Sequence, residues 1–309
     1  MHSHGDQDSD RTTTVGLLAG LCINAIIALG ELIVGAFAGS VALIADATHN
    51  FGDVFALAVA YLARNLGSRP PSLKHTYGLK RLEVVAAVLS ASVLIGTAIL
   101  IIRQALFRLF HPEPYQTGIT IAVAGVAVVA NGISALLLRH HDPQDLNVRS
   151  AFLHLSQDAL SSLLVVVSAL MTSRMRLGTS LDPLAALVIV VAVIVGALSV
   201  LKQALATLLE AVPDDIQVPS LVQRLEQKFN DVAMHHVHVW QIGPRQRVLT
   251  AHLLIRNMDV AHAEILCNRI RSYLRDEWQI QHATLETEVN GCGSDTVLGA
   301  WNPAVQHGD

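Results

Sequence analysis

The sequence predicts two parts: a membrane-embedded, all-α domain of six transmembrane helices, followed by a small soluble α+β domain. Three observations carry that reading. The 309 residues are 52% hydrophobic but only 15% charged, where a soluble protein carries about 25% charged residues. The deficit is confined to residues 14–206, whereas 211–309 has an ordinary soluble composition. Within 14–206, apolar runs of about 20 residues, enough to cross the hydrocarbon core of a bilayer, recur between polar breaks.

The six spans are expected near 14–38, 41–63, 84–108, 118–138, 150–172 and 183–205. The breaks between them are turn-like or polar: "AGS" at 38–40, "GSRPPSLKHTYGLKR" at 67–81, "HPEPYQ" at 111–116, "RHHDPQDLN" at 139–147 and "SRMRLGTSLDP" at 173–183. The polar, acidic start "MHSHGDQDSDR" lacks the basic-then-apolar pattern of a cleaved signal, so the first apolar run is expected to stay as a helix. Basic residues orient the bundle. Arg64, Arg69, Lys74, Lys80 and Arg81 crowd one loop, against Arg103, Arg108, Arg174 and Arg176 on the other side. The positive-inside bias places the 64–81 loop, both termini and the soluble domain in the cytoplasm, as in a bacterial inner membrane.

The soluble domain reads as helix, two strands, helix, strand. "PSLVQRLEQKFN" (219–230) is a short amphipathic helix, and "HHVHVWQI" and "VLTAHLLI" alternate around "GPRQ" as a hairpin. "AHAEILCNRIRSYLRDEW" repeats its apolar residues at helical spacing, and "ATLETEV" closes as a third strand. That order is ferredoxin-like. The expected boundaries are a tail at 1–13, the membrane domain at 14–206, the soluble domain at 211–290 and a second tail at 291–309. The net charge of −4 supplies no basic field for nucleic acid. Cys22, Cys267 and Cys292 have no paired spacing, so neither a disulfide framework nor a zinc ribbon is expected.

Against this apolar background one stretch is anomalous. "ADATHNFGD" (45–53) puts Asp46, His49 and Asp53 into the second span, although a charge at the bilayer centre costs roughly 2.5–3.5 kcal/mol or more. The fifth span repeats the pattern as "HLSQD" (154–158). His-x-x-x-Asp places both side chains on one helix face, so two such helices brought together converge His49, Asp53, His154 and Asp158. Two nitrogens and two oxygens suit tetrahedral zinc and disfavour magnesium or calcium, which take all-oxygen shells. Asn24, Glu31, Asp46 and Asn50 add buried polar groups in the first two spans. Of these, Asp46 and Glu31 are expected to orient ligands or carry protons.

These motifs carry a resemblance. "ADATHNFGD", "HTYGLKRLEVVAAV", "DLNVRSAFLHLSQD" and "LLEAVPDDI" resemble the cation diffusion facilitators, above all the zinc-exporting branch, over about residues 14–290. The resemblance implies a homodimer with metallochaperone-like cytoplasmic domains, and efflux of zinc (or cadmium or cobalt) in exchange for protons. It implies that His49, Asp53, His154 and Asp158 form the transport site, with His rather than Asp at position 49 favouring zinc. It further implies a cytoplasmic metal site at His238, His252, His262 and Glu288, whose zinc would be a regulatory ligand. Some relatives place an Asp and two His in the loop after the second span. Here Leu79 stands at the later His position, so a full metal site around His75 is not expected. The histidines at 2–4 and 140–141, and Cys292, are further potential ligands.

A His/Asp site within a membrane also suits an intramembrane metalloenzyme or a metal sensor. No HExxH pair and no separate general base is present, so an enzyme is not expected.

Overall fold

The computed structural model describes residues 24–138, 146–175, 181–244, 246–256, 258–291 and 297–298. His2, His4, His140, His141, Cys22 and Cys292 lie outside the described residues. The chain forms two compact units, one of residues up to 61 with 87–201, the other of 62–86 with the chain from 202 onward.

The first part is helical: α1 (Asn24–Ala38), α2 (Val41–Gly67), α3 (Leu82–Phe110), α4 (Thr117–Leu138), α5 (Leu146–Met175) and α6 (Leu181–Leu208). Four of these helices, α3 to α6, are long and apolar enough to cross a membrane. α2 has the length, but Asp46, His49, Asn50 and Asp53 interrupt its apolar character. Large apolar side chains point outward, with Phe37, Leu100, Val126 and Val195 all more than half exposed. That pattern fits a solvent of lipid tails.

Small residues line the interior of the first unit. Ala42, Ala45, Ala98, Ala105, Ala124, Ala185 and Ala186 pack with Val41, Leu43, Ile101, Val165, Ile189 and Val190, which lets helix backbones approach closely. The α1–α2 turn is tight because Gly39 adopts φ +75, a conformation that a Cβ would strain. Gly39 and Ser40 both donate backbone N–H bonds to Gly35 O, closing α1 in a Schellman-like turn. The start of α2 is capped from two sides. Leu43 N–H donates to Ser40 Oγ at 3.1 Å. Asp182 of α6 accepts from Ser40 Oγ at 2.5 Å, Val41 N–H at 2.7 Å and Ala42 N–H at 3.3 Å. A carboxylate there satisfies orphan donors and complements the helix dipole. Arg108 of α3 donates to Gly39 O at 2.6 Å, so α3 and α6 both grip this turn.

The second unit contains α7 (Val218–Lys228), β1 (Val232–Gly243), β2 (Gln246–Ile255), α8 (Val260–Trp278) and β3 (Ile280–Glu288). Its elements follow the order expected from the sequence. The sheet runs β1-β2-β3, with β1 and β2 antiparallel and β2 and β3 parallel; the parallel pair requires the α8 crossover. α7 buries Leu221, Val222 and Leu225, and α8 buries Ile270 and Leu274, against Val237, Val239, Leu249, Ala251 and Leu253 of the strands. Cys267 lies in this core as a free thiol.

Residues 62–86 belong to the same unit. Arg81 donates to Glu210 at 2.6 Å, Tyr77 meets the His282 ring edge-on at 6.1 Å, and Lys80 O approaches Gly243. His75 works through its backbone: its N–H bonds Ser72 O, and its carbonyl accepts from Ser72 and Gly78.

Candidate metal centres

The four residues of the repeated His-x-x-x-Asp pattern do converge. In α2, His49 Nδ1 lies 3.6 Å from Asp53 Oδ2, and in α5, His154 Nε2 lies 3.7 Å from Asp158 Oδ2. Across the helices, His49 Nε2 is 3.6 Å from Asp158 Oδ1 and His154 Nε2 is 3.7 Å from Asp53 Oδ2. Donor atoms around tetrahedral zinc, with bonds of about 2.0–2.2 Å, stand about 3.3–3.6 Å apart. These separations are longer than hydrogen bonds, which close to about 2.7–3.2 Å, and they run to both ring nitrogens of His49 and both carboxylate oxygens of Asp158. His49, Asp53 and Asp158 are the three that bring one atom each within reach of a shared ion, with His154 beside them.

Hydrogen bonding agrees. His49 Nε2, Asp53 Oδ2 and Asp158 Oδ1 are buried and have no hydrogen-bond partner, and one ligand atom from each of these residues lies within 4.8 Å of the others. Three converging buried polar atoms without partners are costly unless something charged is shared among them. Exposure is graded across the site. Asp158 is 2% exposed and His49 12%, whereas Asp53 is 28% and His154 44%, so two of the four residues are the accessible ones.

Behind these four residues, Asn50 donates to Glu31 Oε2 at 3.1 Å, while Glu31 Oε1 is buried without a partner. Asp46 accepts hydrogen bonds from Ser161 and from Ser162, the latter at 2.6 Å. The serines were not singled out from the sequence, although they follow Asp158 by one helical turn. That spacing is the signal that could have found them.

The soluble domain holds a second cluster, and its membership differs from the expected set. His252 Nδ1 lies 2.6 Å from Glu288 Oε1, His235 Nε2 lies 3.2 Å from Glu288 Oε2, and His252 Nε2 lies 3.6 Å from Glu286 Oε2. His235, His252 and Glu288 can share one ion. Of the expected residues, His252 and Glu288 are brought together; His238 and His262 are not brought into this set. His238 is exposed, with its ring 5.2 Å from that of His236. His262 opens α8, where its backbone N–H and its ring both meet the N-cap residue Asp259.

The reason is a β-bulge. β1 pairs His235 with His252 but His238 with Thr250, so three residues of β1 span two of β2. His236 takes up the excess at φ +51, a conformation uncommon outside glycine. The bulge advances His235 to the face that regular alternation would assign to its neighbour. It also brings the His236 ring to 4.6 Å from that of His252, the two tilted by 38°. Burial, and then the neighbouring His252, His238 and His235, push the His236 imidazole below its ordinary value. The backbone N–H of His262 and then its ring hold the Asp259 carboxyl below the usual range.

Comparison with known proteins matches both parts of the chain to one family. Residues 17–209 match the cation efflux transmembrane domain, and residues 213–289 match the cation efflux protein cytoplasmic domain. The zinc transporter ZitB of Escherichia coli (strain K12) is 34% identical over 94% of this chain and 93% of its own length. The metal cation efflux system protein CzcD of Cupriavidus metallidurans is 29% identical over 94% and 90%. A cadmium, cobalt and zinc/H(+)-K(+) antiporter of Bacillus velezensis is 29% identical over 90% of each chain. The helical part and the sheet domain are thus matched over nearly the whole length: the chain is an integral membrane protein of the cation efflux family.

Proposed function

We propose that this protein exports divalent metal, zinc foremost and cadmium or cobalt second, from the cytoplasm in exchange for protons. The observation that carries the reading is the set of four His–Asp separations of 3.6–3.7 Å joining His49, Asp53, His154 and Asp158. The similarity to transporters named for zinc, for metal cation efflux and for cadmium, cobalt and zinc antiport supports it. The role is transport rather than catalysis.

His49, Asp53, His154 and Asp158 hold the ion in transit. Zinc takes neutral imidazole and ionised carboxylate, so ion and protons compete for the same atoms. Histidine is the side chain whose charge changes nearest to neutral pH. An acidic outer compartment therefore releases the metal by protonating the shell, and the less acidic cytoplasm restores it. Asp46 and Glu31 are the groups behind the ligands that orient them or pass protons. All six helices of residues 14–206 span the bacterial inner membrane, with 1–13, the 64–81 loop, 211–290 and 291–309 cytoplasmic. The soluble domain is ferredoxin-like and metallochaperone-like and joins two copies in a homodimer. Zinc at His235, His252 and Glu288 regulates transport rather than lying on its path. His238 and His262, the other two residues expected there, act at most from outside this set.

Purified protein in vesicles carrying a zinc dye and a pH dye tests this. An imposed gradient, acidic on the side where zinc is released, is expected to accelerate zinc movement, with protons crossing in the opposite direction. Zinc movement that ignores the gradient and moves no protons rules out exchange and leaves a facilitated channel.

A further inference from the structure

One turn away from the four ligands, α2 and α5 touch a second time. Asp46 precedes His49 by three residues, while Ser161 and Ser162 follow Asp158 by three and four. These groups therefore lie beside the ligands on the facing sides of the two helices. Asp46 and Ser162 are fully buried. Ser162 Oγ donates to Asp46 Oδ2 at 2.6 Å, and Ser161 Oγ donates to Asp46 Oδ1 while also lying 3.1 Å from the backbone carbonyl of Asp158. Both carboxylate oxygens are thus engaged, by adjacent residues that point about 100° apart around the α5 axis.

That geometry resists two motions. Two hydroxyls straddling one carboxylate oppose rolling of α5 about its axis, and their contact fixes its height against α2. Roll matters for a metal shell. With side chains reaching about 5–6 Å from a helix axis, a roll of about 10° moves a ligand atom by about 1 Å. A metal site tolerates only about 0.2 Å from ideal bond lengths.

We propose that Asp46, Ser161 and Ser162 form a clamp that holds α5 in register against α2 and so sets the spacing between His49 and Asp158. This makes them positioning residues that decide which size of ion the shell accepts. The proposal rests on the reading that His49, Asp53, His154 and Asp158 carry the transported ion. With the clamp in place, the shell keeps zinc spacing. Without it, α5 rolls, the shell loosens, and the larger cadmium ion is penalised less than zinc.

The test is flux of zinc and of cadmium, measured separately with full-length protein in vesicles. The S161A/S162A variant is expected to raise the KM for zinc about 10–100-fold and the KM for cadmium less, lowering the zinc-over-cadmium preference. S161A alone, which keeps the Ser162 contact and its packing, is expected to shift the same ratio by a smaller factor. S161T/S162T, which keeps both hydroxyls, is expected to restore it. An unchanged ratio in the alanine variants, or equal loss for both metals without rescue by threonine, overturns the clamp. D158A run in parallel separates the two readings: loss of all flux there with wild-type behaviour in S161A/S162A refutes only the clamp. Retained flux in D158A refutes the transport site beneath it.

Discussion

The two His/carboxylate clusters of this molecule are built on opposite principles. The first sits on two helices, where His and Asp four residues apart lie on one face by the period of the helix alone. The second sits on a sheet, where β1, β2 and β3 each contribute and a single extra residue at His236 decides which histidine takes part. In the helical cluster all four separations fall between 3.6 and 3.7 Å, and three ligand atoms have no hydrogen-bond partner. In the sheet cluster Glu288 is already close to both histidines, at 2.6 and 3.2 Å. One arrangement leaves its donors to an ion; the other partly satisfies itself without one. The difference fits the roles proposed above, transport for the first and regulation for the second.

Breaking the helical cluster is expected to have the largest effect. Asp53→Ala or Asp158→Ala removes one of the four proposed ligands, so zinc flux in vesicles should fall to background while the protein still inserts. Wild-type flux in either variant would dissolve the distinction between the two clusters. His49→Asp replaces a nitrogen ligand with oxygen, and is expected to relax the metal preference toward cadmium and harder ions.

The sheet cluster should behave otherwise. His235→Ala with His252→Ala is expected to remove one bound zinc per chain in equilibrium dialysis yet keep transport at saturating zinc. His238→Ala with His262→Ala should leave that stoichiometry unchanged. If the second pair removes the ion and the first does not, the bulge does not select the ligands.

Stability should separate the regions next. Asp182→Ala strips the buried cap from α2, and the orphaned N–H groups should cost about 1–3 kcal/mol, read as a lower thermal midpoint of the full chain in detergent. Asp182→Asn keeps an acceptor and should recover most of the loss.

The smallest effect is a pH dependence. The His236 imidazole is held below its ordinary value in the folded state, so the unfolded chain binds more protons just below about pH 6.5. Folding stability of the metal-free protein should therefore fall as pH drops through that value toward the lower folded-state one. His236→Asn should flatten this dependence in thermal melts from pH 7.5 to 5.5. An equal slope in both proteins would show that the bulge histidine is not the responsive group.

These contrasts mark how far the linear chain could be read. Helical periodicity is a short-range property, so the pairing of His49 with Asp53 and of His154 with Asp158 was legible from spacing, and the apolar runs around them were legible as helices. The order of helices and strands in the soluble domain followed equally from local pattern and turn residues. What the linear chain left open were contacts between elements distant in sequence. Asp182 caps a helix that begins 141 residues earlier, and no local signal names its partner. Ser161 and Ser162 become informative only once α5 lies against α2, and a serine in a helix has many other uses. His235, not His238, lies beside Glu288 and opposite His252, because alternation assumes a regular strand, whereas register is settled by pairing with β2. His236 adopts its unfavourable backbone conformation only where the packed sheet on either side holds it there. Sequence alone thus determined which His and Asp side chains pair along each helix, where neighbours are fixed by backbone geometry. Tertiary structure decided which histidines meet Glu288 on the sheet and which groups pack against both clusters, because those depend on which elements come to lie side by side.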